Sequence, residues 1–291
     1  MTSIAAPPPP ARSEASVARR ERTRLLLRSP SFLLGAAVII FWILCAILGK
    51  RITPYDPIFD QTSDIGQAPS WAHPFGTDRL GRDVLSRVLA GSRDILLIAP
   101  AAVVLATFFG TTLGLITGYF RGIADDTISR VIDAVLAIPL IVLAVTVIAA
   151  LGSSSAWAVT VVIAIVFSPI IARTVRAAVL GEARLDYVEA ARLRGERSPY
   201  VMFSEVLPNV MPPILVEATI RLGYAIFAVA TLTFIGFGLQ PPTPDWAVQI
   251  ADNYNYLAEQ WWTVLFPALA IASLVVAVNL VSDSVQQVLE R

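Results

Sequence analysis

The chain has 291 residues, of which 56% are hydrophobic and only 15% are charged. Soluble domains carry about 25% charged residues, so a soluble fold of this size could not cover its surface with so few charges. The composition excludes an ordinary soluble protein and predicts an all-α integral membrane protein. Basic and acidic residues balance at 22 each, and no nucleic-acid partner is expected.

The rarest residue types limit the chemistry that the chain can perform. The single cysteine, Cys45, lies in an apolar segment, and the single histidine, His73, has no evident catalytic partner, so the usual transition-metal sites are excluded. The only lysine is Lys50, and Arg51 follows it, which excludes a GxxxxGK(S/T) phosphate-binding loop. We therefore expect neither an ATPase nor a cofactor in this chain.

The first span follows a basic tail. Residues 1–28 are rich in proline and then in arginine, which is typical of a disordered cytoplasmic tail. Residues 31–49 form an apolar helix of about 28 Å, long enough to cross a bilayer. The arginines before it place its N-terminus in the cytoplasm. A secretory signal peptide is the competing interpretation, but the apolar stretch is long for one.

The predicted N-terminal unit, residues 29–93, adds a polar extracytoplasmic segment to this span. Residues 78–90 have the pattern of an amphipathic helix, which we interpret as an interfacial helix without chemistry of its own. Its apolar face consists of Leu80, Val84, Leu85 and Val88. The arginines on this outer side run against the positive-inside rule. They are Arg79, Arg82, Arg87 and Arg93.

Five further apolar segments bring the predicted number of spans to six, with both termini in the cytoplasm. They are residues 95–118, 128–150, 157–180, 212–237 and 261–282. Gly110, Gly114 and Gly118 repeat every four residues and predict a smooth face for close helix packing. Pro139 is expected to kink the third span. The predicted core covers residues 94–285.

Charged residues within the spans leave several interpretations open. Asp133 is either a buried functional carboxylate or a residue near the interface that can cap a neighbouring helix. Glu217 and Arg221 are four residues apart, so they can pair along one helix face, or they lie near the inner surface and are hydrated. An intramembrane enzyme would need an acidic pair, such as Asp133 with Glu217 or Asp283, and no local motif supports one.

A charged stretch, residues 182–208, interrupts the apolar sequence. Asp186 and Glu189 have the spacing of a capping box, so Asp186 is predicted to cap a short helix over 187–194. Gly195 stands where a left-handed residue would end that helix.

A second helix is predicted to begin directly after this corner. Ser198 is expected to be its cap, with Pro199 at the first helical position. Pro208 is expected to bend or end it. A charged helical projection between membrane segments suggests a surface that a partner outside the membrane contacts.

The motif Glu189-Ala190-Ala191, followed by Gly195 and then by Leu207-Pro208, resembles the EAA loop of ABC importer permeases. The family has isoleucine two residues before the leucine, where this chain has Glu205. The segments HPFGTDRLGRDVLSRVLAGSRD and GFGLQPPTPDWA resemble dipeptide and oligopeptide importer permeases. The resemblance extends over about residues 30–285.

The resemblance implies a type I importer permease of the bacterial inner membrane, with a MetI-like core of five helices preceded by one N-terminal helix. It implies a non-catalytic C-type subunit for peptides, although related permeases carry nickel, sugars or other cargo. The implied partners are a second homologous permease, two ABC ATPases that bind ATP and Mg²⁺, an extracytoplasmic peptide-binding protein and membrane lipid. Residues 286–291 would be a cytoplasmic tail.

The predicted ATPase-coupling residues lie in the charged stretch. They are Asp186, Glu189, Ala190, Ala191, Arg192 and Gly195. Of these, Asp186 and Arg192 come from the helix argument rather than from the family motif. Substrate-binding residues are not predicted. A secondary carrier or an intramembrane enzyme is the alternative class, and a carrier should show internal repeats with broken helices. No clear repeat is found.

Overall fold

The computed structural model describes residues 25–59, 64–152 and 155–289, and most of these are helical. In chain order the helices are α1 (Pro30–Leu48), α2 (Val84–Phe120), α3 (Ile123–Leu136), α4 (Leu140–Leu151), α5 (Ala156–Glu182), α6 (Asp186–Leu193), α7 (Ser198–Tyr200), α8 (Leu207–Phe234), α9 (Trp246–Asn253) and α10 (Trp262–Leu289). Short 3₁₀ turns follow α1 and α9, and a π-helical turn joins α7 to α8. The described residues contain one isolated β-bridge and no strand. Most of the predicted basic tail lies outside them.

Five helical runs in the described part of the chain are long and apolar enough to cross a membrane. They are α1, α2, α5, the run from α7 through α8, and α10. The pair α3 and α4 passes the same test together and brings the number to six. The prediction of six apolar segments is thereby confirmed, with the third as a bent pair.

The third span is broken rather than kinked. Helices α3 and α4 are bent by 96° relative to each other. Pro139 explains the break, because it has no N–H to donate and it disfavours helical backbone at Ile138 before it. The predicted irregularity at Pro139 is therefore confirmed in position, but it separates two helices instead of kinking one.

Helices α2 and α5 pack along the glycine repeat. A Cβ added to Gly114 would lie 2.6 Å from Cβ of Val175, and one added to Gly118 would lie 2.7 Å from Cβ of Val179. Gly110 meets Ile171 in the same way. Because lipid gives no hydrophobic drive between helices, such close van der Waals contact is what holds them together. The predicted packing face is confirmed, and we call these two helices the glycine seam.

The segment before α2 forms a turn, not an amphipathic helix. Gly81 has a φ of +73°. Asp83 caps α2 by accepting a hydrogen bond of 2.8 Å from the Ser86 N–H. The residues from Val84 onward are therefore the first turns of the second span. The predicted interfacial helix over 78–90 is wrong, because the glycine turn and the aspartate cap fix the helix start at residue 84.

Two of the outer arginines are buried in this segment. Nε of Arg82 lies 2.6 Å from Oδ2 of Asp78. Arg87 donates to the Pro57 carbonyl at 2.9 Å and to the Thr243 carbonyl at 3.2 Å. These guanidinium groups are held by protein oxygens. Their charges are therefore structural.

The histidine has a partner that the sequence did not suggest. Nδ1 of His73 lies 2.8 Å from Oδ1 of Asp83, and both side chains are buried. The same carboxylate accepts from the Ser86 hydroxyl at 2.7 Å. Helices α9 and α10 begin against this part of the chain. Nε1 of Trp246, the first residue of α9, donates to the Val88 carbonyl at 2.7 Å, and Nε1 of Trp262, the first residue of α10, donates to the Thr77 carbonyl at 3.0 Å. We call residues 64–83, with Trp246 and Trp262, the polar cap.

Candidate functional site

The charged stretch forms a short helix, α6, between two membrane-spanning helices. The helix begins at Asp186, and its cap residue is Leu185, which makes no side-chain capping bond. The predicted capping box is therefore wrong by one residue, which is the usual scale of error for helix ends. Asp186 and Glu189 both stay in the first turn, where the helix dipole favours negative charge.

The C-terminal end of α6 is a Schellman motif. Gly195 has a φ of +76°. Its N–H donates to the Arg192 carbonyl at 2.9 Å, and the Glu196 N–H donates to the Ala191 carbonyl at 3.3 Å. A Cβ at Gly195 would meet nothing within 4 Å, so backbone conformation, not space, requires the glycine. The predicted left-handed corner is confirmed.

The helical run after the corner starts and continues differently from the prediction. The cap position is Arg197, and Ser198 is already helical, with Pro199 in the first turn. Pro208 does not end the helix, because it lies in the first turn of α8 directly after the π-helical turn Val201–Val206. A missing N–H is tolerated in the first turn, so the chain stays helical to residue 234.

The two faces of α6 have different surroundings. Val188 and Ala191 are fully buried against the rest of the chain. Asp186, Glu189 and Ala190 are exposed. Ala191 was predicted as a contact residue, but its side chain faces the protein interior. It can support α6 without reaching a partner through its side chain.

Leu193 is a surface residue that the sequence analysis missed. Its side chain is 83% exposed, although leucine usually prefers a buried position. The signal was available, because Leu193 is apolar but lies out of step with the buried residues Val188 and Ala191. Leu193 therefore belongs to the exposed side of α6.

Arg192 connects α6 to the glycine seam. Its Nε donates to the Tyr119 hydroxyl at 3.2 Å, and its Cζ lies 4.5 Å from the centroid of that ring. Tyr119 follows Gly118 near the end of α2. The contact therefore joins the charged helix to the end of the close-packed pair.

Tyr187 connects α6 to the two helices on either side of it. Its hydroxyl donates to Oε1 of Glu182 at 2.7 Å and accepts from Nδ2 of Asn209 at 2.9 Å. Burial, with the nearby Glu182 carboxylate, raises the pKa of Tyr187 to about 12. The phenol therefore stays protonated at neutral pH and keeps donating.

Charged groups of the bent pair contact α5. Asp125 accepts from Nε and Nη2 of Arg176 at 2.6 and 2.8 Å, a two-point ion pair.

Asp133 is exposed and pairs with Arg173, so the interpretation as a buried functional carboxylate is wrong. Glu217 pairs with Arg221 four residues later, which confirms the predicted pair. Of the acidic residues suggested for an intramembrane enzyme, Asp133 and Glu217 thus pair with arginines. In the described residues no cluster of histidine, cysteine and carboxylate side chains could hold a metal.

Fold and site together define a multi-pass membrane protein whose short charged helix projects between spans. Two family descriptions match the sequence. Residues 110–291 match the binding-protein-dependent transport system inner membrane component, and residues 20–69 match the N-terminal transmembrane domain of oligopeptide transport permease C. The chain belongs to the family of binding-protein-dependent transport inner membrane components, which are the non-catalytic permease subunits of ABC transporters. ATPase and binding-protein partners follow in general terms from this membership.

Curated relatives cover nearly the whole chain. The di/tripeptide transport system permease protein DppC of Pseudomonas aeruginosa is 39% identical over 262 residues, 88% of this chain and 86% of that protein. The dipeptide transport system permease protein DppC of Alkalihalophilus pseudofirmus is 37% identical over 284 residues, 98% and 93% of the two chains. The probable D,D-dipeptide transport system permease protein DdpC of Escherichia coli is 37% identical over 267 residues, 91% and 89% of the two chains.

A solved structure confirms the fold. A chain of the MetNI methionine ABC transporter, in inward-facing conformations, superimposes with a TM-score of 0.58 at 21% identity. The match covers 70% of this chain and 97% of that one. The predicted all-α, MetI-like core is therefore confirmed.

Proposed function

We propose that this chain is the transmembrane permease of an ATP-driven importer of dipeptides or oligopeptides. It forms half of the translocation pathway, and a second, homologous permease forms the other half. The names of relatives at 37–39% identity support a peptide cargo. An extracytoplasmic binding protein would deliver the peptide.

The exposed face of α6 is the surface that contacts the ATPase. Asp186, Glu189 and Ala190 come from the predicted set, and Leu193 joins them because its exposed side chain lies on the same short helix. The buried side chain of Ala191 packs α6 against the rest of the chain, and Gly195 ends the helix by adopting a left-handed conformation. The observation that carries the proposal is that α6 exposes charged residues on one face and packs its other face against the rest of the chain.

The chain has both termini in the cytoplasm of a bacterium, and α6 lies on the same side. The polar cap is then extracytoplasmic, where it is available to the binding protein. The six arginines from residue 173 to residue 197 support this orientation, because positive charge is retained on the cytoplasmic side. ATP and Mg²⁺ bind to two separate ABC ATPases, which perform the hydrolysis.

Movement of the ATPases reaches the membrane spans through the contact between α6 and α2 and through the tight packing of α2 on α5. When the ATPases close on ATP they displace α6, and the Arg192–Tyr119 contact passes this displacement to the glycine seam. Tightly packed helices move as units, so the seam shifts as a body between inward- and outward-open states. The ATPases drive this change only as far as they grip α6 differently with and without ATP.

Replacement of Glu189 by lysine tests the ATPase contact. The measurements are co-purification of the ATPases and ATP-dependent peptide uptake by the complete transporter in liposomes. We expect both to fall by roughly tenfold or more, because reversing a charge within an interface costs several kcal/mol. Membrane insertion should be unchanged.

Asp126→Lys is the matched control, because Asp126 is also exposed but lies on α3. It should leave uptake unchanged. A Glu189→Lys complex that stays intact and coupled would show that α6 is not the contact. Peptide uptake by this chain alone, driven by an ion gradient, would contradict the proposed function itself.

A further inference from the structure

An ion pair lies within the membrane-spanning run from α7 through α8. Nε of Arg221 is 2.5 Å from Oε1 of Glu217, and the two side chains are only 19% and 12% exposed. Charged side chains within a span are costly and usually mark a pathway or a binding site. This pair is used by neither the glycine seam nor α6.

The pair borders a cavity. Arg221 lines a space of about 550 Å³ together with Pro139, Leu140, Phe167, Tyr224 and Phe227. Pro139 belongs to the break between α3 and α4, so the cavity lies beside an interrupted span. Interrupted helices around a polar group at membrane depth are a way in which transporters form substrate sites.

The guanidinium of Arg221 has one edge engaged and one edge available. Glu217 accepts from Nε. Within residues 25–59, 64–152 and 155–289, no acceptor is bonded to the two terminal nitrogens. These nitrogens form the flat two-donor edge that binds a carboxylate in bidentate fashion. Glu217 therefore holds Arg221 in place and leaves that edge for a ligand.

Aromatic rings stand beside this edge. Tyr224 is 58% exposed and Phe227 is 61% exposed, and both line the cavity. The Arg221 Cζ lies 5.4 Å from the centroid of the Tyr224 ring. A carboxylate on Arg221 would place the adjoining atoms of a ligand against these two rings.

We infer that Arg221 binds the C-terminal carboxylate of a peptide in transit, with Glu217 orienting the guanidinium and Tyr224 and Phe227 contacting the C-terminal side chain. The inference rests on the proposed function and adds a substrate subsite to it. It makes the permease, and not only the binding protein, selective for a free carboxylate.

Uptake of two peptides by the complete transporter in liposomes tests the inference. The probes are radiolabelled dialanine and its C-terminal amide, each at saturating binding protein. The test variant is Glu217→Gln with Arg221→Gln, because removing both charges leaves no unpaired charge in the membrane. We expect dialanine uptake to fall about tenfold relative to wild type, because a charge-assisted hydrogen bond to the carboxylate is lost. Uptake of the amide should stay within about twofold of wild type.

The control is Asp133→Asn with Arg173→Gln, which removes an ion pair whose side chains are each 61% exposed. It should change uptake of neither probe, since exposed pairs contribute little. Equal losses for both peptides in the test variant would mean a structural role for the pair and would overturn the inference. Unchanged dialanine uptake would overturn it as well.

A cross-linking measurement does not require the amide to be imported. Alanyl-benzoylphenylalanine, which carries its photoreactive group at the C-terminal residue, should label residues 207–234 in the wild-type transporter. We expect at least about fivefold less labelling in the double variant, and equal labelling would overturn the inference. If the wild-type transporter imports no peptide at all, the proposed function fails, and this inference fails with it.

Discussion

The guanidinium of Arg192 lies over the ring of Tyr119, with Cζ 4.5 Å from the ring centroid and Nε 3.2 Å from the hydroxyl oxygen. Arg192 is in the charged helix α6, and Tyr119 is at the end of α2. The two residues therefore join the surface proposed for the ATPase to the glycine seam. A partly exposed cation–π contact contributes about 0.5–1 kcal/mol, and a charged hydrogen bond adds a similar amount or more.

Arg192→Gln should separate assembly from coupling. The ATPases should still co-purify, because the residues proposed to contact them, Asp186, Glu189, Ala190 and Leu193, are unchanged. The stimulation of ATP hydrolysis by peptide-loaded binding protein should fall about three- to tenfold. The variant loses the contact between α6 and α2, which contributes roughly 1 kcal/mol. Arg194→Gln is the control, because Arg194 pairs with Glu196 two residues away. That variant should leave the stimulation intact. Full stimulation in Arg192→Gln would mean that movement reaches the spans elsewhere.

Gly195→Ala should loosen the end of α6. Alanine at a φ of +76° costs about 1–2 kcal/mol, whereas asparagine tolerates this conformation better. Amide hydrogen exchange of residues 191–196 should therefore speed up by about tenfold in Gly195→Ala and by less in Gly195→Asn. Space is available for either side chain, so packing cannot explain such a difference. Equal exchange in both variants would argue against a strained corner.

Gly114→Ala should destabilise the glycine seam. The new Cβ would lie 2.6 Å from Cβ of Val175 and 2.8 Å from the Ala172 carbonyl oxygen, so the helices must separate. We expect a loss of about 1–3 kcal/mol, read as a lower unfolding temperature in detergent. Gly181→Ala is the matched control, because Gly181 lies in helix α5 with open space around its Cα. That variant should be neutral or slightly stabilised, and a similar loss in both would contradict the packing role.

Asp245, next to Trp246 of the polar cap, should make the stability of the protein depend on pH. Burial raises the pKa of its carboxyl from 3.8 to about 6, even though the Val248 and Ala247 N–H groups donate to it. The folded state therefore binds this proton more tightly than the unfolded chain. The protonated carboxyl therefore contributes at most about 3 kcal/mol to the free energy of unfolding. This contribution is fully present below the pKa of the unfolded state, 3.8, and is lost as the pH rises through that of the folded state, about 6.

Asp245→Asn isolates this effect, because asparagine also caps helices but does not titrate. As the pH rises from 4 to about 6, the unfolding temperature of the wild type should fall relative to that of the variant. Above about pH 6 the difference should stay constant. A difference that is constant over this range would show that Asp245 does not titrate there. Titrating groups that do not interact with Asp245 cancel in the comparison.

The sequence alone determined what depends on local pattern. Apolar runs of sufficient length fixed the spans, the four-residue spacing of Gly110, Gly114 and Gly118 fixed the packing face, and Gly195 fixed the corner after α6. Each of these follows from composition or from a backbone preference within a few residues. The same patterns, with the EAA-like motif, indicated the family.

Only the tertiary structure decided which way side chains face and what meets across the fold. It turned Ala191 inward and Leu193 outward, and it set Arg192 against Tyr119, 73 residues away. It also replaced the predicted interfacial helix over 78–90 with a turn and the start of α2, and it joined Trp262 to Thr77, which are 185 residues apart. Such partners are fixed by packing between distant segments, and no local periodicity records them.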